Sequence, residues 1–181
     1  MEHYYDKIQG WFQCQPLYKR MVEQAQNGSV FVEVGVWKGK SASFMGVEIL
    51  NSGKKIEFYA VDHFQGSPEH QNDPAVKGMT LKEECYQNLL PVAGIVRMLP
   101  VPSLTAAAMF ADESVDFVYI DGAHEYEPLK ADIAAWFPKV KTGGIIAGDD
   151  YGIGVHPDVK TVVDEIFPSA VKEGVVWIHK K

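Results

Sequence analysis

Phe31-Val32-Glu33-Val34-Gly35-Val36-Trp37-Lys38-Gly39-Lys40-Ser41 is the stretch on which the fold turns. The apolar run Val30–Val34 ends at a glycine, and a helical pattern then extends from Ser41 to Leu50. That is a strand feeding a helix through a glycine-bearing turn. Gly35 removes a Cβ where a ligand could approach the backbone, and Gly39 permits a tight entry to the helix. The spacing is G-x-x-x-G, neither the G-x-G-x-x-G of dinucleotide sites nor a Walker loop. Glu33 disfavours an anionic ligand here and suits a cationic one. Alone, the stretch reads equally well as an ordinary glycine-containing turn.

The pattern repeats on the C-terminal side. Ile56–Val61, Ile95–Leu99, Val115–Ile120 and Gly144–Ala147 are short apolar runs. Between and after them lie the helical stretches Thr80–Leu90, Leu104–Phe110, Glu127–Phe137 and Val159–Phe167. Strands apolar throughout are buried on both faces, as in a parallel sheet covered by helices. The alternation predicts a doubly wound α/β fold. A last run, Val175–Ile178, follows Lys172-Glu173-Gly174 closely enough for a hairpin and an antiparallel final strand. On the N-terminal side, Leu17, Tyr18, Met21, Val22 and Ala25 recur at helical spacing after Pro16, and Asn27-Gly28 ends the run. Tyr4, Tyr5, Ile8, Trp11 and Phe12 suggest a second short amphipathic helix. Residues 1–28 are therefore expected as flanking helices outside the sheet, and residues 29–181 as a single domain.

The chain of 181 residues has a formal net charge of −7, with 46% hydrophobic and 23% charged residues. An acidic total with only paired basic residues, such as Lys54-Lys55, argues against a partner whose phosphates need a basic face. Cys14 and Cys85 lack both zinc-ligand spacing and the density of a disulfide scaffold. No signal-peptide pattern or bilayer-length apolar stretch is present, so the cytoplasm is the expected location, with no membrane partner. These features leave a homo-oligomer open.

In open sheets of this kind, ligands bind beyond the carboxyl ends of the strands. The residues there are acidic: Glu33, Asp62, Asp121 and Asp149-Asp150. Asp62 closes the second run, where a carboxylate can accept hydrogen bonds from both hydroxyls of a ribose; an Asp opening a loop is the plainer alternative. Glu33-x-Gly35-x-x-x-Gly39 followed by Asp62 resembles the first two motifs of the class I S-adenosylmethionine-dependent methyltransferases. The order of elements matches over nearly the whole chain from Val30. The resemblance implies a Rossmann-like, mostly parallel seven-stranded sheet with a C-terminal antiparallel hairpin strand. It also implies an S-adenosylmethionine site drawn from Glu33, Gly35, Val36, Gly39, Ser41, Asp62, His63, Ser103 and Asp121. Within that set Gly35 and Gly39 line the methionine moiety, Asp62 holds the ribose, and Glu33 sits beneath the loop. Ser103 falls where this fold approaches the adenine, but it could equally cap the following helix.

Asp121 and the Asp149-Asp150 pair emerge at one edge if their strands are neighbours. Three crowded carboxylates repel unless protonated or neutralised, and a divalent cation solves that problem. All-oxygen ligands favour Mg²⁺, Mn²⁺ or Ca²⁺ over zinc. His124, three residues beyond Asp121, could be a ligand, but beside a hard-oxygen site it makes a better general base. A solvated Asp-Asp turn and a loop histidine are the bland alternatives. Ile120-Asp121-Gly122-x-His124-x-Tyr126 and Gly143-Gly144 through Gly148-Asp149-Asp150-Tyr151 resemble small metal-dependent O-methyltransferases related to the macrocin-type sugar enzymes. That resemblance implies magnesium on Asp121, Asp149 and Asp150, with His124 as the base. Catechol-type relatives place a lysine at the histidine's position, which draws the expected substrate away from catechols.

The expected acceptor is a hydroxyl on a small molecule. The stretch Phe64–Pro74 and residues 151–157 are expected as loops over the site. His156 reads as a helix-start residue, and Trp11, Phe12 and Trp37 read first as core packing. A nicotinamide-dependent oxidoreductase is disfavoured by the glycine spacing, and a silent binding protein by the intact acids and histidine. A nucleic-acid methyltransferase would carry Asn/Asp-Pro-Pro-aromatic where Asp121-Gly122-Ala123-His124 stands.

Overall fold

Strands rich in β-branched and aromatic residues, with little polar alternation, need cover on both faces. They find it here. The computed structural model describes residues 1–67 and 70–181. The strands are β1 (Val30–Val34), β2 (Glu57–Val61), β3 (Val96–Leu99), β4 (Val115–Ile120), β5 (Val140–Gly148), β6 (Val171–Glu173) and β7 (Val176–Lys180). They form one seven-stranded sheet in the order β3-β2-β1-β4-β5-β7-β6. β1 to β5 are parallel, and β7 runs antiparallel to both β5 and β6. Gly174, at φ +65°, turns β6 into β7.

Helices α1 (Gln15–Gln24), α2 (Lys40–Ser52) and α4 (Leu81–Leu89) cover one face of the sheet. Leu17, Tyr18, Phe44, Met45, Leu81 and Cys85 meet Phe31, Phe58, Phe117 and Tyr119 there. Helices α5 (Ser103–Ala107), α6 (Tyr126–Trp136) and α7 (Pro157–Ile166) cover the other. On that side Leu129, Ile133, Trp136, Val159 and Val163 pack on Val32, Val118, Ile120, Ile146 and Trp177. Each fully buried large apolar side chain contributes about 1.5–3 kcal/mol, so both layers matter to stability.

The N-terminal stretch departs from expectation. α1 forms, but Tyr4–Phe12 is not a second helix; it holds only a 3₁₀ turn at Tyr5–Lys7. Gly10, at φ +141°, breaks any helix there. The aromatic residues instead gather round Phe44 of α2: His3 stacks on it at 4.3 Å, and Tyr5 and Phe12 meet its ring at 5.2 and 5.0 Å. Within the expected loop Phe64–Pro74, Pro68 and Glu69 lie outside the described residues. Pro74 itself begins a short helix, α3 (Pro74–Lys77), capped by Asp73 Oδ1 accepting from the Ala75 N–H at 2.8 Å.

Register is what positions the site. Val34 aligns with Val61 on one side and Ile120 on the other, and Ile120 aligns with Gly148. The next residue of each strand (Gly35, Asp62, Asp121, Asp149) therefore leaves the sheet at one common edge. Among the described residues no helix is long and apolar enough to cross a membrane.

Candidate active site

The loops leaving β1, β2, β4 and β5 enclose a cavity of about 1120 Å³. That is just above the usual range for a site holding one small ligand, leaving room for a second. Its floor is the turn after β1. Gly35 sits at φ +85°, and a Cβ there would lie 2.1 Å from the Asp121 carbonyl oxygen and 2.6 Å from Gly122 Cα. The glycine is thus demanded by two chain segments crossing, beyond any ligand's approach. Trp37 follows at φ +49°, rare for a bulky residue. Asp62 holds it: Oδ2 accepts from the N–H groups of Val36 and Trp37, each at 3.0 Å, and Oδ1 accepts from the Phe64 N–H at 2.7 Å. An ionised carboxylate has roughly four acceptor sites. Three backbone bonds, two to the turn after β1 and one to its own loop, leave capacity for a ribose hydroxyl.

Gly35, Val36, Ser41, Asp62, His63, Ser103 and Asp121 all line the cavity, whereas Glu33 and Gly39 do not. Glu33 is 1% exposed and accepts a hydrogen bond from the Ser41 hydroxyl. Burial pushes its carboxyl up to about 8; the Ser41 bond opposes this, and the Asp121 and Asp62 charges add to it. It is uncharged at neutral pH, so it pins α2 to β1 rather than repelling anions. Gly39 supplies the left-handed start of α2 (φ +84°), close against Leu89 and Cys85.

Ser103 does not cap α5; its hydroxyl oxygen accepts from Trp136 Nε1 at 2.9 Å. Asp132, only 6% exposed, shares this wall of the cavity. Burial raises its pKa, the Ser103 hydroxyl and the His63 charge opposing. Sequence reasoning missed Asp132, although a signal was present. It interrupts the apolar stripe Leu129, Ile133, Trp136 of α6, where a buried acid is out of pattern.

Asp121, His124, Asp149 and Asp150 line the same cavity. His124 Nε2 lies 2.8 Å from Asp150 Oδ2 and 3.9 Å from Asp121 Oδ1. Burial pushes Asp121 up to about 7; the His124 hydrogen bond opposes this, and Asp149 and Asp150 reinforce it. Burial also raises Asp149, partly offset by the Asp150 N–H donating to its Oδ1 at 2.9 Å. On His124 burial alone would lower the pKa, but the hydrogen bonds and charges of Asp121 and Asp150 win and lift it to about 10. Asp150 occupies φ +62°, strained for a non-glycine residue. His156, absent from the expected set, brings its ring to 4.1 Å from that of His124. Among the described residues, the tight donor group is His124, Asp150 and His156. Asp121 and Asp149 face the same cavity outside that group.

At the mouth, His70 lies between Trp37 and Trp11, with ring centroids 4.3 and 5.5 Å away. Trp11 is 67% exposed, so it serves the rim and not the core.

A methyltransferase-domain family model matches residues 32–151. A protein of Sinorhizobium fredii, y4gI, is 25% identical over 158 residues; the match takes in 85% of this chain but only 16% of that protein's length. Among solved structures, the O-methyltransferase NovP superposes with a TM-score of 0.70 at 21% identity, over 92% of this chain and 78% of its own. A methyltransferase from Geobacter sulfurreducens gives 0.65 at 12% identity, over 95% and 79%. A precorrin-8W decarboxylase from Methanobacterium thermoautotrophicum gives 0.59 at 17% identity, over 90% and 76%. At such identities the superpositions speak to the fold, while the family match removes the nicotinamide alternative. The sheet order, the glycine turn clamped by an acid and the matched domain agree, and the chain belongs to the methyltransferase-domain family, with the fold of the class I S-adenosylmethionine-dependent methyltransferases.

Proposed function

We propose that this chain transfers a methyl group from S-adenosylmethionine to a hydroxyl oxygen of a small molecule, with a divalent cation at its acidic edge. The observation that carries this reading is the shared register of β1, β2, β4 and β5. It sets Asp62 and the Gly35 turn around the same cavity as Asp121, His124, Asp149 and Asp150. The likeness to a protein described as an O-methyltransferase supports oxygen as the acceptor atom. The net charge of −7 favours a small molecule over nucleic acid or an anionic membrane surface. Free, buried Cys14 and Cys85 suit the cytoplasm.

When bound, S-adenosylmethionine supplies an electrophilic methyl group, and a divalent cation supplies charge that acidifies a hydroxyl. The residues fit both groups. Asp62 has acceptor capacity left for a ribose, and Asp121, Asp149 and Asp150 line one cavity with oxygen donors of the kind a hard divalent cation takes. His124 is a base only when neutral. Asp121 and Asp150 hold its proton in this arrangement; once those carboxylates serve a cation, burial favours the neutral ring. His124 would receive the hydroxyl proton at Nε2, while bound S-adenosylmethionine would supply the methyl carbon for the new O–C bond and keep the S–C electron pair on sulfur. The cavity would hold donor and acceptor side by side, and such positioning would supply much of the acceleration.

The test follows S-adenosylhomocysteine release from purified chain with S-adenosylmethionine, Mg²⁺ or Mn²⁺ and a panel of sugar, phenol and polyketide hydroxyls. EDTA-sensitive turnover is the expected result. Cofactor binding with no affinity for either cation would instead make this a binding protein of the same fold.

A further inference from the structure

The proposed reaction gives one histidine at the acidic edge a task and leaves a second with none. His156 immediately precedes α7, whose first residue is Pro157. A ring nitrogen of His156, a ring nitrogen of His124 and a carboxylate oxygen of Asp150 all lie within 4.8 Å of one another. That is close to twice a metal–ligand bond of roughly 2.0–2.2 Å, the span across one transition-metal ion.

Several independent features hold His156 in place. The His156 N–H donates to the Ile153 carbonyl at 2.9 Å, closing the loop after β5. Pro157 keeps His156 out of the helical region, and it sits at φ −126°, ψ 60°. The Tyr126 N–H donates to Asp158 Oδ2 at 3.1 Å, tying the His124 loop to the start of α7. Asp150 keeps its strained φ of +62° in the same loop. Non-glycine residues at such angles cost free energy and concentrate at ligand clamps.

We propose that His156 is a ligand of the cation held at Asp150, so that the site prefers a nitrogen-accepting ion such as Mn²⁺, Co²⁺ or Zn²⁺ over Mg²⁺. Imidazole suits these ions, whereas Mg²⁺ favours oxygen donors and retained water. The inference rests on the reading that the acidic edge binds a cation, not on methyl transfer, and it leaves His124 as the base.

The whole chain is titrated with Mn²⁺ alone by electron paramagnetic resonance, with spin-echo detection of nitrogen coupling, and Mg²⁺ is used as competitor. Imidazole-nitrogen coupling should appear in the native sequence and in His124→Gln and vanish in His156→Gln. Mn²⁺ affinity in His156→Gln should fall about tenfold or more, with Mg²⁺ affinity changed less than about twofold, which also reports an intact fold. Mn²⁺ bound without nitrogen coupling, or coupling that survives His156→Gln, overturns the ligand assignment. In either case, loss of Mn²⁺ binding in Asp150→Asn would keep the acidic edge as the cation site. No binding of any divalent ion to the native chain overturns both readings.

Discussion

Asp150 and Asp121 flank one ring nitrogen of His124 at 2.8 and 3.9 Å, so that ring gives up its proton far less readily than free imidazole. Replacing it tests the base assignment directly. His124→Ala is expected to lower turnover by roughly 10²–10⁴-fold while calorimetry finds S-adenosylhomocysteine affinity nearly unchanged. A cofactor defect of matching size would refute the assignment. Glu33 offers a second residue-scale measurement. Its folded carboxyl titrates near 8 against an ordinary 4.5, so the folded chain keeps a proton that the unfolded chain has lost. The stability this contributes is complete below pH about 4.5 and is lost progressively as pH climbs through about 8. Glu33→Gln removes that dependence. Melting curves should show the variant gaining on the native chain from about pH 5 to about pH 8, with a constant difference beyond. Parallel curves across that window would mean that Glu33 is ionised in the fold.

Phe44 of α2 joins the N-terminal segment to the body of the domain. It is 3% exposed and contacts the rings of His3, Tyr5 and Phe12. Phe44→Ala should cost about 3–5 kcal/mol, read as a lower urea midpoint; a loss below about 1 kcal/mol would show that these rings collapse into the space left. That contact also shows where sequence reading stops. The strands β1 to β5 were legible because a parallel sheet buries both faces and leaves continuous apolar runs. Tyr4–Phe12 has helical spacing too, yet its rings are arranged round Phe44, a partner far away in the chain, and Gly10 breaks the path. The α3 start was written locally as Asp73-Pro74, a cap and a first-turn proline, but a surrounding loop reading obscured it.

At the scale of the whole molecule, Asp62, Asp121 and Asp149 were legible because each directly follows an apolar run, and parallel register carries all of them to one edge. Which of them cluster was not legible. His156 meets His124 across two loops that the Asp158 bond to the Tyr126 N–H helps tie together, a tertiary fact. Asp132 needed α6 to be placed against the cavity before its odd position in the stripe acquired meaning.

The crossing at Gly35 reaches furthest. With the Asp121 backbone lodged where a Cβ would stand, the turn that would cradle the methyl donor and the strand end that would carry the cation cannot shift separately. Occupying either half is expected to stiffen the other. S-adenosylhomocysteine and Mn²⁺ should therefore strengthen one another's binding by an equal factor, measured reciprocally by calorimetry, and Gly35→Ala should erase that mutual gain even in whatever fraction of the protein still folds. Independent affinities would mean that the two halves of the cavity do not communicate through this joint.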